Sequence, residues 1–437
     1  MNKKVKLGIN LILAVVCIAI IYILSVTQES TAMIFVVLKK TAVYGLVAVS
    51  MNLLNGFTGL FSLGQAGFML LGSYTYAALT IPAADRGSVY QYFDGGWIQF
   101  ALPVAVAIIL AGIVAAIFAW LIGMPVLRLK SDYLAIATLG FAEILRAFCQ
   151  WDVLGPLTNG SNMLRKFPNF DSIVNGWGET VPFIADHAVF FSTMLPIAIA
   201  AVCIAVIVLM LKSTYGRAFV AIRDDEVAAE AMGIKLSYHK MISFCTSAFF
   251  AGIGGALLAM YMTTVQASAF KSAMTYEILL IVVIGGIGSI SGSVLASFLF
   301  VACSEWWLRF LDAEKIVEPQ LKTTYIVVAS LVILAVVAYN WFKARKAEKK
   351  EKTKVWTISG VVGACCLAMV AGWAFSDSLQ VPFLRNGFRL VVFSIIIMVV
   401  VLFYRQGIMG NKELDVERLY NWFKGLKNSK KDGESHG

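Results

Sequence analysis

Apolar positions along the chain gather into long runs at 7–26, 41–55, 62–81, 98–124, 133–150, 188–211, 241–265, 276–288, 291–309, 323–342, 355–375 and 387–404. About 20 apolar residues in a helix cross the ~30 Å of a bilayer's hydrocarbon. The pattern therefore predicts an all-α fold, a polytopic transmembrane helical bundle. The shorter runs flank Gly-rich breaks. Two polar stretches are long: 151–187, with Trp151, Trp177 and several prolines, and 212–240, rich in charge. The first run follows Lys3, Lys4 and Lys6, is too long for a signal-peptide core and has no A-x-A site after it, so it reads as a retained span.

Composition agrees. The 437 residues are 59% hydrophobic and 14% charged, against ~45–50% and ~25% in a soluble domain. Mean hydropathy is +0.79. These values exclude an ordinary soluble enzyme and a disordered chain. The net charge of +10 is accounted for by the bilayer, without nucleic acid. Alternating the runs from a cytoplasmic N-terminus places 1–6, 125–131, 212–240, 343–354 and 405–437 inside. These stretches hold about two thirds of the 36 Lys and Arg, as the positive-inside rule requires. Both termini are then cytoplasmic. The tail, 405–437, has a stripe of Val416, Leu419, Tyr420 and Phe423 that suits a helix on the membrane surface, or it is simply solvated.

Chemistry-bearing clusters are scarce. The seven Cys lie in or at the ends of apolar runs, outside any CxxC or Cys/His spacing, and read as small apolar fillers. None of the three His neighbours a carboxylate at metal-ligand spacing. Gly285 to Gly292 lacks the last Gly of a dinucleotide loop, and no G-x-x-x-x-G-K-[ST] is present to cradle ATP. With no nucleophile–base set either, the reading is a non-catalytic chain that binds no metal or other cofactor itself.

Three features stand out. Asn55-Gly-Phe-Thr-Gly-Leu-Phe-Ser-Leu-Gly64 and Gly285-Gly-Ile-Gly-Ser-Ile-Ser-Gly292 each interrupt an apolar segment, a weak internal echo of the kind that transporters build from broken helices. Glu143 and Arg146 stand three apart within an apolar run, where ionisable groups cost ~2.5–3.5 kcal/mol each and need partners or water. They either line a path or form a structural pair. Between Ser213 and Ile234, Asp224 or Asp225 is a good N-cap, Ala228, Ala229 and Ala231 favour helix, and Gly233 is a natural stop. The expectation is a two-turn helix too short to stand alone in water: a docking element, or a solvated loop. Ala248, Gly252, Ala256 and Ala251, Gly255, Ala259 have small-xxx-small spacing for close helix packing.

The stretch Gly216-Arg, Ile222-Arg-Asp-Asp-Glu226, Ala228-Ala and Met232-Gly-Ile resembles the coupling loop of the LivM-type permeases, membrane subunits of branched-chain amino acid ATP-binding-cassette importers. In the same order, Tyr44 to Phe68 is similar to that family's first Gly-rich element. Asp132 to Arg146 is similar to its central span, and Glu277 to Gly292 to its second Gly-rich element. The resemblance covers about 40–312 and 387–410. It implies a permease core at 1–312 with coupling loop 212–240, and an inserted transmembrane hairpin at 313–386 around the basic loop 343–354. The last span at 387–404 and a cytoplasmic tail at 405–437 complete the chain.

The resemblance also implies a second, LivH-like permease subunit, two ATP-binding subunits that hydrolyse ATP, an extracytoplasmic substrate-binding protein, and a bacterial inner (plasma) membrane location. Arg223, Asp224, Glu226, Ala229 and Gly233 would couple to the ATPase. Asn52, Gln65, Glu143, Arg146, Glu277, Gly285 and Gly288 are candidates for the pathway or gate. Gln65 stands where the family usually has His, and Arg405-Gln-Gly-Ile408 lacks a Pro common before that Gln. The alternatives are a urea or short-amide permease of the same class, and an ion-coupled secondary transporter, which the scarcity of buried Asp, Glu and His disfavours.

Overall fold

The computed structural model describes residues 15–16, 18–27, 32–129 and 131–308, with positions 392, 394, 395, 398, 407 and 410. Their regular elements are helices: α1 (Ile18–Thr27), α2 (Met33–Asn52), α3 (Gln65–Thr80), α4 (Ala83–Val89), α5 (Val104–Val126), α6 (Ser131–Gln150), α7 (Gly155–Thr158) and α8 (Phe170–Gly178). Then come α9 (Pro182–Asp186), α10 (Ala188–Lys212), α11 (Thr214–Asp224), α12 (Glu226–Ala231), α13 (Leu236–Met262), α14 (Ser272–Gly285) and α15 (Ile290–Ala302). π-helical turns prolong α2 over Leu53–Phe57 and α15 over Cys303–Trp307. Six of these helices among the described residues are long and apolar enough to span a bilayer, so the chain is a multi-pass membrane protein. It divides into two units, Met1–Trp306 with Ile396–Gly437, and Trp307–Ile395; α1 to α15 all belong to the first. The hairpin expected at 313–386, and nearly all of the last span and tail, lie outside the described residues.

α13 is the central post, packed on α5, α3 and α2. Its two small-residue rows are the reason. A methyl added at Gly72 of α3 would strike the Gly252 carbonyl, and one at Gly255 would strike the Met69 carbonyl. A Cβ on Gly252 would lie 2.7 Å from the Ala111 carbonyl oxygen of α5. The three backbones therefore touch directly, which is how helices attract one another where hydrophobic driving force is absent. Away from this core, Ile109, Ile113 and Ile117 of α5 and Val202, Val206 and Leu209 of α10 are exposed, forming apolar outer faces.

Polar connections gather at the two ends of the bundle. One end carries α11 and α12. The other carries α4, α7, α8, α9 and the turn into α14. At this second end Arg86 is fully buried and donates to the carbonyls of Ala78 (2.9 Å) and Phe100 (2.8 Å). Burial draws its pKa below the usual arginine value.

α2 begins at Met33, eight residues before the apolar run expected at 41. Lys39 and Lys40 argue for a loop by charge, yet each has a partner. Lys39 pairs with Asp171 of α8 at 3.0 Å, and Lys40 with Glu305 at 2.5 Å. Asp171 also accepts from the Ser192 hydroxyl. Partial burial raises the Asp171 pKa, but the Ser192 and Lys39 hydrogen bonds outweigh it and hold the carboxyl below the ordinary value. A depressed folded pKa stabilises at pH above the unfolded value of ~3.9 and is lost as pH falls through the folded one. Asp171→Asn is therefore expected to blunt the loss of thermal stability of the detergent-solubilised protein between pH 5 and 2.5. An unchanged acid limb would show that Asp171 titrates alike folded and unfolded.

Candidate functional site

The two Gly-rich interruptions meet. α2 widens into its π turn at Leu53–Phe57 and stops where Gly59 takes φ +75°. Asn55 closes the break as a backbone mimic, its carbonyl accepting from Ser62 N at 3.1 Å. The opening amides of the following segment find side chains on other helices: Leu63 N donates to Thr138 Oγ1 (3.0 Å, α6) and Ala66 N to Thr275 Oγ1 (3.1 Å, α14). Those bonds satisfy donors that a helix start leaves free.

On the other side of the junction, α14 and α15 have 14 and 13 residues. At ~1.5 Å per residue α14 is ~20 Å long, short of a full crossing, and α15 reaches spanning length only with its π turn to Trp307. Between them Gly286 (φ +111°) and Gly288 (φ +88°) turn the chain. Ser289 caps α15, its hydroxyl accepting from Gly292 N at 3.1 Å.

Asn52 binds the two breaks together. It is fully buried. Its Nδ2 donates to the Ser289 carbonyl (2.9 Å) and Ser293 Oγ (2.8 Å), and its Oδ1 accepts from Gly288 N (2.8 Å). A Cβ at Gly56 would collide with that Oδ1 and lie 2.6 Å from Gly288 N, so only glycine lets the breaks approach. Gly407 belongs to the same junction: a Cβ there would lie 2.6 Å from Gly286 N.

Around this staple lies a ring of buried hydroxyls. Gln65 Nε2 donates to Ser50 Oγ (2.7 Å), Ser247 Oγ to the Ser50 carbonyl (2.6 Å), and Thr58 and Ser243 share a hydrogen bond of 2.6 Å. Gln65 is thus a satisfied buried side chain, 3% exposed.

Arg223 joins the junction to the α11–α12 segment. Its Nη1 donates to the Gly56 carbonyl (3.1 Å), while Nε and Nη2 hold Asp224 at 3.1 and 2.9 Å. Asp225, rather than Asp224, caps α12, accepting from Val227 N (2.8 Å) and Ala228 N (3.0 Å). Gly233 ends the segment at φ +86°. Glu226 pairs with Lys240 at 2.6 Å, tying α12 to α13. Ala229, expected to allow a partner's close approach, is buried against its own chain; Val227 and Met232 are the residues that project, 78% and 84% exposed.

Other candidates fall elsewhere. Glu143 Oε2 accepts from Arg146 Nε at 2.7 Å, and its Oε1 from Ser272 N at 3.2 Å, capping the start of α14. That gives the pair a structural task between α6 and α14. Glu277 is exposed on α14, and Gly285 packs against Gly292. Among the described residues no three His, Cys, Asp or Glu gather to hold a metal.

Sequence reasoning named Asn52, Gly285 and Gly288 but missed the hydroxyl ring and the Arg223–Gly56 bond. The available signal was Ser50, Thr58, Ser243, Ser247 and Thr275: small polar residues in apolar helices must find partners across them.

Fold and junction together define a polytopic helical membrane protein built around two interrupted helices that meet in its interior. A family model described as the branched-chain amino acid transport system / permease component matches residues 33–337, and the chain belongs to that family. It is 33% identical over 281 residues to the high-affinity branched-chain amino acid transport system permease protein LivM of Salmonella typhimurium (61% of each chain). It is 32% identical to the Escherichia coli LivM over the same length and shares. To the E. coli LivH permease protein it is 24% identical over 283 residues, 62% of this chain and 83% of that one. The match spans about 61% of the length of the LivM relatives. No solved structure matches.

Proposed function

We propose that this chain is the membrane-spanning permease subunit of an ATP-binding-cassette importer for leucine, isoleucine and valine, in the inner membrane of a bacterium. Family membership and the names of its LivM and LivH relatives support the substrate class. The observation that carries the mechanism is the path from α12 through Arg223 and Gly56 to Asn52 and the second break. In this reading α11 and α12 face the cytoplasm, and Val227 and Met232 seat in a cleft of an ATP-binding subunit. The chain itself hydrolyses nothing. ATP-driven closure of two such subunits moves α12, and the junction of breaks passes the displacement to the helices along which substrate travels. A second, LivH-like permease completes the pathway, and an extracytoplasmic binding protein delivers substrate to the opposite end.

The test is Glu226→Lys combined with Gly233→Trp, which breaks the Lys240 pair and strains the positive-φ turn. Reconstituted complexes are expected to hydrolyse ATP while leucine uptake falls at least tenfold. Uptake at the parent rate would remove α12 from the coupling. Uptake that follows an ion gradient and ignores ATP would replace the importer reading altogether.

A further inference from the structure

α14 has two unlike faces. It packs chiefly on α15 and α2, and buries Met274, Thr275, Ile278, Ile281 and Val282. Ala273, Tyr276, Glu277, Leu280 and Ile284 fall at i, i+3, i+4, i+7 and i+11, a single helical stripe about 100° wide, and none of them is buried. The exposed faces of α5 and α10 are apolar along Ile109, Ile113 and Ile117 and along Val202, Val206 and Leu209, so lipid tails satisfy them. The α14 stripe differs by one carboxylate, set about 8 Å inward of Ser272 at ~1.5 Å per residue.

The other charges placed within apolar helices are matched. Lys39 pairs with Asp171, Lys40 with Glu305, and Glu143 with Arg146. Glu277 has neither an ion pair nor a hydrogen bond among the described residues. The cation within its electrostatic reach is Lys40. That ammonium is held by Glu305 at 2.5 Å and lies 5.4 Å from the centre of the Tyr44 ring. Lys40, Glu277 and Glu305 together carry one excess negative charge. A carboxylate facing lipid tails is costly, and the charges found within membrane helices pair or face water. The missing counter-charge therefore comes from outside this chain.

We propose that the α14 stripe is where a second permease subunit packs, and that a Lys or Arg of that subunit pairs with Glu277. Ala273 lets a partner helix approach closely, and Tyr276, Leu280 and Ile284 supply apolar contact on either side of the charge. The assignment deepens the importer reading and rests on it for the existence of the second subunit.

The test uses the whole complex, extracted from membranes of cells that express every subunit. p-Benzoylphenylalanine in place of Tyr276 is expected to cross-link the second permease on irradiation at least tenfold more than the same probe in place of Ile117. Glu277→Lys sets like charge against the partner and is expected to lower the second permease recovered with this chain at least fivefold, while Glu277→Asp keeps it. The Tyr276 probe leaves Glu277 in place, so it decides the matter even if Glu277→Lys misfolds. Parent-like recovery with Glu277→Lys would overturn the proposal, as would a Tyr276 probe that couples only to lipid. Rapid reaction of Ala273→Cys with a membrane-impermeant thiol reagent in the intact complex would put water at the stripe and overturn it too. A parent complex that contains no second permease sinks the importer reading; one that contains it without the Tyr276 cross-link sinks the α14 assignment alone.

Discussion

Asn52→Leu is expected to lower the stability of the folded chain by about 1–3 kcal/mol, and to abolish transport by what remains folded. The change leaves the part-buried Gly288 N–H without its acceptor, while the Ser289 carbonyl and Ser293 hydroxyl each lose one donor but still bond each other at 2.9 Å. An orphaned group of this kind costs ~1–3 kcal/mol. Ser293→Ala removes one partner of the same side chain and is expected to cost about 1 kcal/mol. The graded pair is read by thermal unfolding of the solubilised protein alongside uptake. If Asn52→Leu unfolds at the parent temperature, the junction is not held by this residue.

A larger effect is expected at the crossing of α3 and α13. Gly72→Leu places a branched side chain where the Gly252 carbonyl already lies in contact. Overpacking a core costs ~1–3 kcal/mol when side chains can yield. Here the obstacle is backbone, so the expected cost exceeds about 3 kcal/mol, and the chain should run as aggregate on size-exclusion chromatography. Gly140→Leu is the control, because a Cβ at Gly140 of α6 meets nothing within 4 Å. A monodisperse Gly72→Leu protein would show that the two helices have room to part.

The apolar runs made most of the helices legible, since a segment without charge in water-free surroundings has few alternatives to helix. Ends were less legible. The apolar run expected from 41 left out Lys39 and Lys40, whose partners on α8, α10 and the turn after α15 let α2 begin earlier. α12 was readable from its cap and its glycine, and only the choice between Asp224 and Asp225 needed coordinates. α11 was missed: its start rests on Ser213 accepting from Tyr215 N at 3.2 Å, and the short stripe Tyr215, Phe219 and Ile222, whose last two side chains are buried, stood inside a stretch read for its charge. Glu143 could be seen as a charge in an apolar run, but its second oxygen caps a helix that begins 129 residues later. Asn52 is the strongest case. A lone Asn in an apolar run signals that some partner exists, and chain spacing holds nothing that points to Gly288, 236 residues away.

The contact of bare main chain along α3, α5 and α13 also constrains how a passage opens. Helices separated by side chains can slide by swapping rotamers, whereas peptide planes pressed together have no such slack. On the importer reading proposed above, these three are expected to move as one rigid spindle. An aperture would then have its seam outside them, along α14 and α15, and substitutions that alter gating without harming assembly are expected to concentrate there.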